Sequence, residues 1–107
     1  MVSAQTEGKD DFIMAETHKP PHPGVLVKEA MEGLGLSINA FAKKLDVAPS
    51  TIHRIVTERS AISPEMAVRL SITIGQSARL WMQRQAEYDL WHVRKQFDSS
   101  GLHPLAP

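Results

Sequence analysis

Ser50, Thr51, His53 and Arg54 place short hydroxyls, an imidazole and a guanidinium close together in a stretch with helical periodicity. Hydroxyls near the start of a helix reach base edges in a duplex major groove. A guanidinium one turn on offers the two parallel N–H groups that guanine accepts. Pro49 sits at the start of the same stretch. Ser37, Asn39 and Lys43 before it, and Thr57 and Arg59 after it, carry donors suited to the sugar-phosphate backbone, which positions a reader without specifying sequence. A plainer reading stands beside this one. Ser50 and Thr51 are ordinary first-turn residues, and Arg54 has Glu58 four residues on as a partner for a solvated ion pair. Asn39 and Lys43 also suit plain surface, and His53 fits a base, a phosphate or solvent.

Other chemistries find little support. Histidines 18, 22, 53, 92 and 103 are scattered, and the His18/His22 pair lies in a proline-rich stretch without an acidic or cysteine partner close by. No metal ligand set, serine–histidine–acid order, paired carboxylates or glycine-rich phosphate loop can be assembled in helical context. The expectation is a binding protein without cofactor or catalytic residue. The chain has 107 residues, no cysteine and a formal net charge of zero. Such a length suits one domain with a modest core. The absence of thiols, of a 20-residue apolar run and of a secretory leader agrees with a cytoplasmic protein. Charge is unevenly spread: residues 37–59 carry a net +2 and residues 1–20 a net −2.

Five helices must position these groups. The first begins near Pro23, carries Leu26, Val27, Ala30, Met31 and Leu34 on one stripe, and ends at Gly33 and Gly35. The second is capped by Ser37 and buries Ile38, Phe41, Ala42 and Leu45. Ala42 is small where two helices must cross closely. Asp46 stands where a tight turn requires a left-handed backbone, and Val47 plugs the gap between the helices. The third helix spans about residues 49–57, with Ile52, Ile55 and Val56 inward. Its capping position holds Ala48, which leaves the first N–H groups free for a phosphate. Together, the second and third helices read as a helix-turn-helix. The fourth opens with Ser63-Pro64-Glu65, buries Met66, Ala67, Leu70 and Ile74, and stops at Gly75. Ser77 caps a long fifth helix over about residues 78–97, with Leu80, Trp81, Tyr88, Leu90, Trp91 and Val93. That is more bulky apolar surface than one small core needs. Trp81 suits the core. Tyr88 and Trp91 are candidates for a dimer interface, with packing against the first helix as the alternative for Trp91. The expected organisation is a mobile arm over residues 1–21, a domain over 22–98 and a loose tail over 99–107. Phe12-Ile13-Met14 in the arm is a candidate docking segment.

Several blocks together resemble the HigA family of antitoxins, of the Xre helix-turn-helix class. They are His22-Pro23-Gly24, Leu36-Ser37, Ile62-Ser63-Pro64-Glu65-Met66-Ala67-Val68-Arg69-Leu70, and Leu80-Trp81 with Gln85-Ala86 and Tyr88-Asp89-Leu90-Trp91. The resemblance runs from about His22 to Val93. It implies an all-α, lambda-repressor-like domain and a homodimer that binds an inverted-repeat operator in double-stranded DNA. It also implies a HigB-type, mRNA-cleaving toxin as partner and repression of the operon that encodes the pair. Pro49, Ser50, Thr51, His53 and Arg54 would then lie on the operator-reading helix. The chain departs from the family's frequent glycine at Asp46, arginine at Thr51 and glycine at Glu58, which bear on base preference. A stand-alone Xre-type regulator without a toxin is the alternative function.

Overall fold

The computed structural model describes residues 18–106. Among them are five helices: α1 Pro23–Gly33, α2 Ile38–Leu45, α3 Pro49–Val56, α4 Pro64–Thr73 and α5 Ala78–Gln96. No strand occurs among the described residues, in keeping with the all-α expectation. Most of the proposed arm, with Phe12-Ile13-Met14, lies outside the described residues.

Local chemistry sets the boundaries. Ser37, Ser63 and Ser77 each cap a helix by accepting the N–H of Ala40, Met66 and Leu80 respectively, all at 3.1 Å. Each satisfies one of the donors that a helix start leaves unpaired. The α2–α3 turn is made by Asp46, whose backbone is left-handed (φ 57°). The C-terminal turn of α3 closes through a second left-handed residue, Glu58 (φ 64°). Glycine would adopt either conformation without the Cβ crowding that an L side chain meets there.

The core gathers one stripe from each helix: Val27, Phe41 with Ala42 and Leu45, Ile52 with Ile55, Met66 with Ala67 and Leu70, and Trp81. Ala42 is completely buried, as expected of the crossing point of α2 and α3. Val47 is half-buried and packs on this core. Trp81 fills the centre and donates its Nε1–H to the Gly75 carbonyl at 3.1 Å, so its one polar atom costs nothing to bury.

Three residues hold the helices in place, His22, Gly24 and Gln85, and all belong to the blocks that carry the family resemblance. His22 caps α1, its Nδ1 accepting the Gly24 N–H at 2.8 Å, and its ring meets the Tyr88 ring of α5 edge-on at 4.8 Å. Gly24 lies against the Ile55 carbonyl of α3, so close that a Cβ there would overlap it. Gln85 on α5 accepts the Ile62 N–H at 2.8 Å and donates to Asp89 at 3.0 Å. It thereby satisfies a backbone donor in the α3–α4 connection that is otherwise buried.

Burial holds the His22 imidazole below its ordinary value of 6.5; the Glu58 carboxylate, the Ser60 backbone and the Asp89 carboxylate oppose the shift without cancelling it. The unfolded chain therefore binds the proton more readily, and stability must rise with pH across this range. The contribution is complete above pH 6.5 and is lost as pH falls towards the depressed folded value. Thermal melts from pH 7.5 to 5 are expected to show a falling midpoint. His22→Asn, which keeps a capping oxygen, should flatten that slope; an equally steep slope would exclude His22 as its source.

Candidate DNA interface

Ile52 and Ile55 turn α3 into the core, which leaves the opposite face of the helix open. On that face Ser50, His53 and Arg54 are exposed and Thr51 is half-buried; Pro49 is exposed at the first position. Ala48 gives no side-chain cap, as the sequence suggests, so the first-turn N–H groups of α3 have no side-chain partner there. Arg54 makes no ion pair with Glu58: the single salt bridge among the described residues joins Arg69 and Glu65. Its guanidinium is therefore uncommitted, which disfavours the plainer reading of that residue.

The flanking residues divide. Asn39, Lys43 and Arg59 are exposed around the reader. Ser37 accepts a backbone N–H as the α2 cap, which leaves its hydroxyl hydrogen to donate elsewhere. Thr57 is different. Its hydroxyl donates back to the His53 carbonyl at 2.6 Å, so it retains lone pairs but no proton for a phosphate. Lys43, Lys44, Arg54 and Arg59 outnumber Asp46 and Glu58 across this surface.

Arg69 is a positioning residue that sequence pattern alone does not reveal. From α4 its Nη1 donates to the Leu45 carbonyl at 2.8 Å and the Asp46 carbonyl at 3.3 Å, while Nη2 pairs with Glu65 at 2.8 Å. It thus satisfies carbonyls at the end of α2 and fixes the turn that aims α3. Arg69→Ala is expected to cost about 1–3 kcal/mol, the usual range for losing charge-assisted hydrogen bonds to partly buried groups. A denaturant titration measures it; an unchanged midpoint would remove Arg69 from this role.

The two interface candidates on α5 are largely covered within the chain. Trp91 is only 7% exposed: its own chain covers it, with the Lys95 and Lys19 ammonium groups 4.7 and 5.6 Å from its ring centroid. Tyr88 is half-buried between the rings of His22 and His92. Neither protrudes. Their positions on the helix point inward or sideways, and the outward apolar residues of α5 are Leu90 and Val93, followed by Phe97. Among the described residues no cluster of histidine and acidic groups could hold a metal ion, and no helix is long and apolar enough to cross a membrane.

An open polar helix, braced by a small-residue crossing and a left-handed turn, is the geometry of a groove reader. The Helix-turn-helix family model matches residues 27–81, from α1 into α5. The chain belongs to this helix-turn-helix family. An HTH-type transcriptional regulator of Escherichia coli, YddM, is 38% identical over 85 residues, which cover 79% of this chain and 90% of that relative. The Pseudomonas aeruginosa antitoxin HigA, solved with the higBA promoter, superposes with a TM-score of 0.69 at 36% identity, over 80% of this chain and 98% of that one. A HigA-family addiction module antidote from Coxiella burnetii gives a TM-score of 0.70 at 28% identity, covering 73% and 86%. The resemblance to HigA antitoxins therefore extends from short sequence blocks to the path of the whole helical domain.

Proposed function

We propose that this helix-turn-helix protein is a sequence-specific DNA-binding antitoxin that represses its own operon and neutralises an mRNA-cleaving toxin of the HigB type, without catalysis of its own. The observation that carries the DNA-binding part is the uncovered face of α3, where Ser50, His53 and Arg54 stand free beside an uncapped helix start. Pro49, Ser50, Thr51, His53 and Arg54 read bases or enter the groove; Ser37, Asn39, Lys43 and Arg59 hold the backbone. Two copies with their α3 helices about 34 Å apart would meet successive major grooves of an inverted repeat. A promoter is the ligand named for the P. aeruginosa HigA structure, and that precedent supports the choice of duplex DNA.

The toxin half rests on the family likeness and on charge. The net −2 of residues 1–20 suits a basic, RNA-cleaving partner. Co-expression with the product of the adjacent gene should restore growth that the product alone arrests. Deleting residues 1–20 should abolish the rescue; full rescue by the shortened chain would place inhibition on another surface. The name of the E. coli relative favours a second reading, a plain transcriptional regulator. A neighbouring gene without toxicity in the growth assay would select it.

A further inference from the structure

We propose that residues 99–106 of one copy seat in a double hollow between α1 and α4 of another copy, with Leu102 and Leu105 as the two anchors. This contact is separate from the two-fold pairing of the DNA-binding reading and adds copies to it.

Two adjoining hollows, of about 370 and 470 Å³, open where the ends of α1 and α4 come together. Leu36 and Phe41 wall the first, Ala30 and Gly75 the second, and Leu34 and Ile74 line both. Leu34 is 60% exposed, and Leu36 and Ile74 are half-buried. Lys44 is the one charged residue at their edge. Water in such a space is favourably displaced by apolar side chains.

After α5 the chain carries side chains that match. Leu102 is 65% exposed and Leu105 fully exposed. Residues 99–106 hold no acid, lysine or arginine, so seating them strips water from no full charge. Pro104 fixes its own φ and drives His103 towards extended backbone. In polyproline II geometry three residues make one turn, which sets Leu102 and Leu105 on the same side about 9 Å apart. Two apolar prongs on one edge then answer two hollows that share a wall.

Reach makes the occupant another copy. The hollows adjoin Ile74 and Gly75, just before α5, and the tail leaves the far end of that helix. The 19 residues of α5 rise about 28 Å. Leu102 follows Phe97 by five residues, which span at most about 18 Å when straight. They are not straight: the Leu102 N–H donates to the Ser99 carbonyl at 2.9 Å, and the Ser100 N–H to Asp98 Oδ1 at 2.9 Å. A chain therefore cannot fill its own hollows. Tail and hollow are different patches, so the contact is heterologous and continues beyond a pair. None of the lining residues belongs to the DNA interface, so joined copies keep their α3 faces open for neighbouring operator sites. That consequence rests on the DNA-binding reading; the contact itself does not.

The chain contains no cysteine, so single introduced thiols report contacts cleanly. Thr73 is exposed and lines both hollows. Thr73→Cys and Leu105→Cys proteins, mixed and oxidised without DNA, are expected to cross-link to each other, while neither variant cross-links alone. Sedimentation of the full chain at rising concentration should show species heavier than two chains, and a chain ending at Asp98 should show none. Leu102→Ser with Leu105→Ser should weaken this association at least about 100-fold, about tenfold for each leucine no longer buried. No mixed cross-link, equal masses with and without the tail, or a disulfide closed within one chain of the Thr73→Cys, Leu105→Cys double variant would each overturn the proposal. These readouts use no DNA, so they stand apart from the failure of the reading helix, which Arg54→Ala reports.

Discussion

Gly24→Ala is expected to lower the unfolding free energy by about 2–3 kcal/mol, even though alanine favours a helix over glycine by about 1 kcal/mol. Two effects of opposite sign compete, and the packing decides. The added methyl would overlap the Ile55 carbonyl oxygen and approach the carbonyl carbon and His22 Nδ1 to 2.9 Å. Two of these three atoms are backbone and the third is committed to the α1 cap, so no flexible side chain can yield. Relief requires α1 to move away from α3, which opens the core at Val27 and Ile55. For a domain of this size the loss corresponds to a fall of roughly 10 °C in the melting midpoint. The same displacement would tilt α3, so DNA affinity should fall in the fraction that stays folded. A melting midpoint equal to or above that of the native chain would show that α1 and α3 are not held as closely as described. Gly33→Ala is the control. A Cβ at Gly33 meets nothing within 4 Å, so that change should be neutral or stabilising.

Thr51→Ala with Arg54→Ala should remove most operator specificity and leave the fold intact. Arg54 is exposed, and Thr51 is only half-buried; neither belongs to the core. Their loss should therefore change the melting midpoint little. A two-pronged arginine–guanine contact is worth about 1–3 kcal/mol, and the threonine contact adds less. The double variant is accordingly expected to bind its operator about 100-fold more weakly. Non-specific affinity should fall only by the electrostatic share of one cation, because the phosphate contacts proposed for Lys43 and Arg59 are untouched by these changes. A gel-shift series on specific and scrambled duplexes separates the two losses. Equal loss on both duplexes would make Arg54 a phosphate contact, and no loss on either would move the reader off α3.

The elements that sequence anticipates are those fixed within a few residues. Ser37, Ser63 and Ser77 cap helices because a hydroxyl three residues from an unpaired N–H is a local arrangement. Asp46 takes the left-handed turn position for an equally local reason. The open face of α3 follows from the spacing of Ile52 and Ile55. What was not legible depends on distant neighbours. Gln85 meets Ile62 and Arg69 meets Leu45 across separations of 23 and 24 residues. Neither side chain is distinguished by its periodicity. His22 read as one scattered histidine in a proline-rich stretch, and only the packing of α1 against α5 makes it a buried cap. The size of Trp91 carries no sequence signal of whether its own chain buries it. The chain covers its indole from within, and the smaller Leu90 and Val93 are the residues left open. Arg54 and Glu58 have the right spacing for an ion pair, but Glu58 lies beyond the end of α3 with a left-handed backbone and does not extend the helical face that such pairs use.

Everything proposed for DNA recognition depends on the reading of duplex sequence by the uncovered face of α3. That reading is tested most directly by competition between the duplex upstream of the protein's own gene and a scrambled duplex of equal length, across a series of salt concentrations. A preference of at least about 1,000-fold for the native duplex, persisting at 200 mM salt while binding to the scrambled one falls away steeply, is the expected result. Equal affinity for the two duplexes at every salt concentration would contradict it.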